Sequence, residues 1–214
     1  MIAPLIPDPR SLIPDPRSLI PVTAIILCGG RSSRMGQDKA SLRFGDETML
    51  ERIVRIVRAV ADHVIVVARR DQPVPSDVTL AYDAVEDLGP LAGIAAGLAI
   101  SKSDLNVVVA CDMPLIRPQV LERLASLIDD YDACVGVADG HPSPLCGIYR
   151  SRIAPDAQAL LDSGERRMMR LLEVVRTKRV DAAVFRDIDP NLETFISVDT
   201  PKKYADARSL IPDP

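Results

Sequence analysis

The chain has 214 residues, 26 Lys and Arg against 30 Asp and Glu, a formal net charge of −4 and 47% apolar residues. Roughly 150 residues per domain gives one domain with appendages, long enough to bury a core without disulfides or structural metal. With a net acidic balance, 4 Tyr, 3 Phe and no Trp, it lacks the basic field and stacking rings of a nucleic-acid surface, and nothing marks it for a membrane surface.

The chain opens on a repeat. SLIPDPR occupies 11–17, a truncated copy precedes it at 5–10, SLIP follows at 18–21, and SLIPDP returns at 209–214. Two or three prolines per copy remove helix donors and clash with the preceding turn, so extended polyproline-like or disordered tails are expected at 1–21 and 208–214. A duplicated gene element explains such ends, as does a tail that docks through its Leu-Ile pairs. The first ten residues carry no basic n-region and do not read as a signal peptide. The longest nearly apolar run, 89–100, is about half of the roughly 20 residues that span a bilayer. Cys28, Cys111, Cys134 and Cys146 form no CxxC pair and lie in or beside apolar runs, as buried reduced thiols do. A cytoplasmic protein is expected.

The body spans 22–207. Residues 22–27 (VTAIIL) read as a buried strand, and 48–61 as a helix with Leu50, Ile53, Val54, Val57 and Val60 inward and Glu51 and Arg55 spaced to pair outward. Strands follow at 64–68 and 78–81, a small-residue helix at 90–100, a strand at 105–111 and a helix at 118–128. The second half offers strands at 133–138 and 145–149, helices at 153–161 and 165–175, and a strand at 180–185. Strands apolar on both faces, alternating with helices, predict an α/β fold: a single three-layer domain whose mostly parallel sheet is covered by helices on both faces.

In such a sheet ligands bind where the strands end on one edge. The first strand runs into LCGGRSSRMGQDK (27–39), the third ends at Asp83, just before DLGPLAG, and the fourth ends at Asp112, in CDMP. Gly29, Gly30 and Gly36 let backbone N–H groups approach phosphate oxygens, while Arg31, Arg34 and Lys39 supply charge-assisted contacts. Asp112 is the natural residue to hold Mg²⁺, which takes one or two protein carboxylates and completes its shell with phosphate and water. The spacing fits neither a GxxxxGK[ST] loop nor a GxGxxG fingerprint. His63 and His141 are isolated, and Met168 and Met169 suit a core.

At these residues the chain resembles the molybdenum cofactor guanylyltransferases, within the nucleotidyltransferases of Rossmann-like fold. LCGGRSSRMGQDK, GPLAG and CDMP carry the superfamily. HPSPLCGIYR from His141, GERRMMRLL from Gly164 and FISVDTP from Phe195 carry the narrower likeness. The resemblance covers nearly the whole body and neither tail. It implies GTP and the molybdopterin-molybdenum cofactor as substrates and pyrophosphate as a product. It places Leu27, Cys28, Gly29 and Gly30 on the nucleotide, Arg34 and Lys39 on its phosphates, Asp83 on the nucleotide side, and Asp112 on both nucleotide and Mg²⁺. Arg166 and Asp199 become acceptor candidates, Asp199 with metal as its other option. Cys28 stands where alanine is usual, Val67 where asparagine is frequent, and Asp199 where asparagine is frequent. Neither nucleic acid nor membrane is implied; a homo-oligomer and recipient molybdoenzymes or their chaperones are. The rival readings are a cytidylyltransferase on the same scaffold, acting on the molybdenum cofactor or an alcohol phosphate, and a nucleotide-binding protein without turnover.

Overall fold

A computed structural model describes residues 21–28, 38–82 and 89–211. Gly29, Gly30, Arg31, Arg34, Gly36 and Asp83, with residues 1–20 and 212–214 of the repeat tails, lie outside the described residues.

Nine strands and six α-helices are described: β1 (Val22–Leu27), β2 (Arg43–Phe44), β3 (Glu47–Thr48), α1 (Met49–Val57), β4 (His63–Ala68), β5 (Thr79–Tyr82), α2 (Pro90–Ile100), β6 (Leu105–Ala110), α3 (Pro118–Leu127), β7 (Ala133–Ala138), β8 (His141–Arg150), α4 (Ala154–Asp162), α5 (Met168–Val174), β9 (Thr177–Asp181) and α6 (Pro201–Ser209). Seven strands form one sheet in the order β5-β4-β1-β6-β8-β7-β9, and β2-β3 is a separate small hairpin. Only β8 runs against its neighbours; β1, β4, β5, β6, β7 and β9 share one direction.

Alternation along each strand sorts the core into two layers. Ala24 and Ile26 of β1 meet Ile53, Val57, Leu121 and Leu124 from α1 and α3. Ile25 and Leu27 face the other way, onto Leu91, Ile94, Leu98 and Leu171 from α2 and α5. Helix α2 can lie this close because its residues are small. A Cβ on Gly97 would stand 2.4 Å from Ile25 Cγ2, and Ile25 is fully buried. A third, smaller cluster joins Phe44, Met49, Leu115, Val198 and Ala207 beneath α6.

Several local features differ from the expectation. The 48–61 helix is Met49–Val57, opened by a capping box in which Thr48 Oγ1 accepts from Glu51 N and Glu51 Oε2 accepts from Thr48 N. Glu51 is thereby engaged at the cap, and Arg55 pairs with Glu47 at 2.6 Å instead. Strand β8 begins at His141 rather than 145, because Asp139 and Gly140 both take positive φ (51° and 75°) and close a tight hairpin from β7. Asp-Gly is the pair such a turn favours. The strand expected at 180–185 is Thr177–Asp181; Asp181 then accepts from Ala183 N and starts a 3₁₀ turn over Ala182–Phe185. The helix expected at 165–175 begins only at Met168, since Glu165 Oε1 accepts from the backbone N–H groups of Arg166 and Arg167 and holds 165–167 extended. Finally, α6 runs to Ser209, so helix rather than extended chain occupies the first residues of the C-terminal repeat, and Ile211 packs on the third cluster.

The α2–β1 contact yields a test. A helical glycine-to-alanine change normally gains up to about 1 kcal/mol. At Gly97 the collision with Ile25 outweighs that gain, so Gly97→Ala is expected to destabilise by about 1–3 kcal/mol. Urea unfolding of the variant against wild type measures it, and a stabilised variant contradicts this packing.

Candidate active site

The parallel strands β1, β4 and β6 end on one edge, and backbone pairing continues just past them. Cys28 N donates to Val67 O at 2.9 Å, and Cys111 N donates to Leu27 O at 3.0 Å. The Leu27 carbonyl and the Cys28 N–H are therefore committed to the sheet. The Leu27 and Val67 side chains point into the apolar layer beneath α2, where both lie near Gly93.

Immediately beyond stands Asp112. Lys39 Nζ donates to Asp112 Oδ2 at 2.8 Å, with both side chains about four-fifths buried. Lys39 opens a 3₁₀ turn, Lys39–Ser41, whose cap is Asp38: its Oδ1 accepts from Ala40 N at 3.2 Å. The same carboxylate accepts from Gln72 Nε2 at 3.2 and 3.1 Å and lies 3.6 Å from Arg69 Nη2. Gln72 is buried, and its Oε1 accepts from Arg69 N. The chain leaving the glycine-rich stretch is thus moored to the residues that follow β4. In the sequence, Asp38 carries the signal of a cap, an Asp directly before a short helical turn.

Asp199 joins the same place from far along the sequence. Val198 N donates to the Asp112 carbonyl at 2.7 Å, which binds the segment before α6 to the end of β6. Asp199 Oδ1 pairs with Lys203 Nζ at 2.8 Å. The Lys203 hydrogen bond holds the Asp199 carboxyl below the usual carboxylate range against the opposing effect of burial, and the charge of Lys39 adds to the lowering. Asp112, Lys39, Asp199 and Lys203 therefore alternate in sign.

Arg166 is placed differently. Its guanidinium turns back onto the carbonyls of Leu161 and Glu165, both at 2.9 Å, covering the C-terminal end of α4. Its own carbonyl lies 3.6 Å from where a Cβ on Gly89 would stand, so the 165–167 segment borders the start of α2. The Arg167 side chain, hydrogen-bonded to Glu165, together with two backbone N–H groups, lowers the Glu165 carboxyl to about 2.

All four cysteines are free and buried. The Cys28 thiol is pushed well up by its hydrogen bond with Cys111, then by burial and by the negative charges of Asp38 and Asp112. Burial raises Cys134 to about 11 and Cys146 to about 12. A thiolate is the nucleophilic form, so these groups are poor nucleophiles near neutral pH. No helix among the described residues is long and apolar enough to cross a membrane.

A family model described as "MobA-like NTP transferase domain" matches residues 24–181. A protein of Carboxydothermus hydrogenoformans named "Probable molybdenum cofactor guanylyltransferase" is 33% identical over 86% of this chain and 93% of its own. One of the same name from Methanosarcina mazei is 31% identical over 83% of this chain and 86% of its own. The crystal structure of molybdopterin-guanine dinucleotide biosynthesis protein A from Archaeoglobus fulgidus superposes with a TM-score of 0.77, at 24% identity, over 88% of this chain and 97% of that one. At that identity the likeness speaks for the fold.

The thiol environment sets an expectation for this edge. The native protein should resist iodoacetamide at neutral pH, and Cys28→Ala should keep turnover within about threefold of wild type, since mutations that remove no reacting group leave transition-state binding intact. Intact mass after alkylation and steady-state rates check both. Rapid labelling of Cys28 contradicts the buried pair.

Proposed function

This chain belongs to the MobA-like NTP transferase family, in the molybdenum cofactor guanylyltransferase branch, and is a nucleotidyltransferase; from that premise we propose that it transfers GMP from GTP to the terminal phosphate of the molybdopterin-molybdenum cofactor. The products are the guanine dinucleotide cofactor and pyrophosphate, and recipient molybdoenzymes or their chaperones take the former. The observation that carries the reading is the Lys39–Asp112 pair just beyond the end of β6, where Val198, the neighbour of Asp199, bonds to the Asp112 carbonyl.

The residues suit Mg²⁺. No group of three His, Cys, Asp or Glu side chains among the described residues forms a complete metal cage. Asp112, with Asp199 on the adjoining segment, offers the one or two hard carboxylates that Mg²⁺ takes when phosphate and water fill the rest. The ammonium 2.8 Å from Asp112 Oδ2 marks a position that accepts a cation. When bound, Mg²⁺ supplies positive charge at the α-phosphate.

The chemistry asks little else of the protein. An acceptor phosphate oxygen attacks the α-phosphorus in line, one new P–O bond forms, and the bond to the β-phosphate oxygen breaks. The nucleophile is already anionic, so no strong general base is needed, and catalysis rests on positioning and electrostatics. Lys39 gives its charge to the β- and γ-phosphates as they leave, joined by Arg34. Leu27 and Cys28 mark where the nucleotide meets the sheet edge, and Gly29, Gly30 and Asp83 complete its side of the site. Arg166 and Asp199 serve the acceptor side. Cys28 in place of alanine is tolerated because its side chain packs into the buried layer of α1 and α3.

Two measurements test this. GTP with Mg²⁺ at 100 times its Kd should stabilise the protein by about 2.7 kcal/mol, more than CTP, ATP or UTP at the same concentration, and product should form with molybdopterin-molybdenum. A preference for CTP overturns the guanine assignment. Removing one preorganised charge typically costs about 10²–10³ in rate, so Asp112→Ala and Lys39→Ala should each lose that much while melting cooperatively. Turnover within tenfold of wild type contradicts these roles.

A further inference from the structure

We propose that Lys39 makes metal binding conditional on nucleotide: its ammonium holds the Asp112 carboxylate until phosphate groups draw it away. This rests on the reading of Asp112 as the metal-holding residue and adds a regulatory step at the same site.

The geometry supports it in four ways. First, the pair is close and largely shielded from water: Nζ is 2.8 Å from Oδ2, with side-chain exposures of 19% and 18%. Screening that makes exposed ion pairs negligible is therefore weak here. A divalent cation on Asp112 would face this ammonium at short range, and the repulsion is twice that between single charges.

Second, the lysine is anchored at its backbone, and its charge sits at the end of a long side chain. Asp38 caps the turn at Lys39–Ser41 and is itself held by Gln72 and Arg69, so the main chain stays in place. Transfer of the ammonium to a phosphate requires only rotation about the four-carbon side chain.

Third, the two carboxylates have separate cations among the described residues. Asp199 is paired with Lys203 at 2.8 Å, whereas the ion pair of Asp112 is with Lys39. If Lys39 leaves, Asp199 keeps its partner and Asp112 becomes the available anionic ligand.

Fourth, the backbone segments that carry the two acids are tied together. Val198 N is bonded to the Asp112 carbonyl at 2.7 Å, and Val198 itself is fully buried. A nucleoside triphosphate, with about four negative charges and several oxygens for charge-assisted bonds, competes for the ammonium as a single carboxylate cannot. Nucleotide and metal then each favour the other, and the coupling is reciprocal.

The experiment is a Mn²⁺ titration of the full chain without nucleotide, read by electron paramagnetic resonance. Lys39→Met should bind Mn²⁺ at least tenfold more tightly than wild type, although it is expected to lose turnover. The double variant Lys39→Met/Asp112→Asn should lose that gain. Equal or weaker binding by a cooperatively melting Lys39→Met overturns the proposal, and so does a gain that survives in the double variant. If Lys39→Met does not melt cooperatively, Lys39→Gln replaces it under the same criteria. The underlying reading fails separately. Should Asp112→Asn bind Mn²⁺ with GTP as tightly as wild type, Asp112 is no metal ligand. Should that binding be lost while Lys39→Met gains nothing, Asp112 stands as the ligand and only the conditional role of Lys39 falls.

Discussion

Cys28 N donates to Val67 O and Cys111 N to Leu27 O, which carries the pairing of β1 one residue past its end on both sides. This short extension dictates what can stand at the edge. Side chains alternate between the layers, so a slip of one residue would exchange the face of every group in β1. Because Ala24 to Leu27 are buried on both faces, no such slip is tolerated. Cys28 and Cys111 face the layer of α1 and α3, and Asp112 is the next residue free of the strand. The apolar patterning of the sheet thereby places a charged group at its edge.

A second restraint brings in the late segment. Asp189 is fully buried, accepts from Glu193 N and Thr194 N, and lies 3.3 Å from Arg117 Nε. Arg117 also donates to the Ile188 carbonyl and pairs with Glu193, while its backbone N–H donates to Thr194 Oγ1. Arg117 lies in the same loop as Asp112, just before α3. One arginine therefore ties the stretch between β9 and α6 to the loop that carries the central carboxylate. Hydrogen bonds to charged groups contribute roughly 1.5–3 kcal/mol each, so this segment is held firmly although it has little regular structure.

Much of this was legible in the sequence. The bounds of β1, α2 and β7 coincide with the expected 22–27, 90–100 and 133–138, because each is a run of apolar residues bounded by polar or turn-forming ones. Lys39 and Asp112 were recognisable from their motifs, although their meeting across 73 residues needs the strand order, which periodicity does not encode. The reversal of β8 is signalled by Asp139-Gly140, the pair that closes its hairpin with β7. Helix α6 shows no apolar stripe, with Ala207 its one buried residue, so only the Thr200-Pro201 cap announced it. Asp189 looks like any surface acid; its burial follows from Arg117, whose position depends on the tertiary fold. Asp38 is similar, since its moorings to Gln72 and Arg69 lie beyond β2, β3, α1 and β4.

The bond from Val198 to Asp112 also has a meaning in time. Chains emerge from the ribosome N-terminal end first, at about 5–20 residues per second, and the interval between Asp112 and Asp199 then takes on the order of ten seconds. During that interval β1, β4 and β6 can pair and the Lys39–Asp112 contact can form, yet the acidic neighbour from beyond β9 is missing. The growing chain is thus able to meet nucleotide before its site is whole. The segment that carries Asp199 is therefore the last of the described elements around Asp112 to be synthesised.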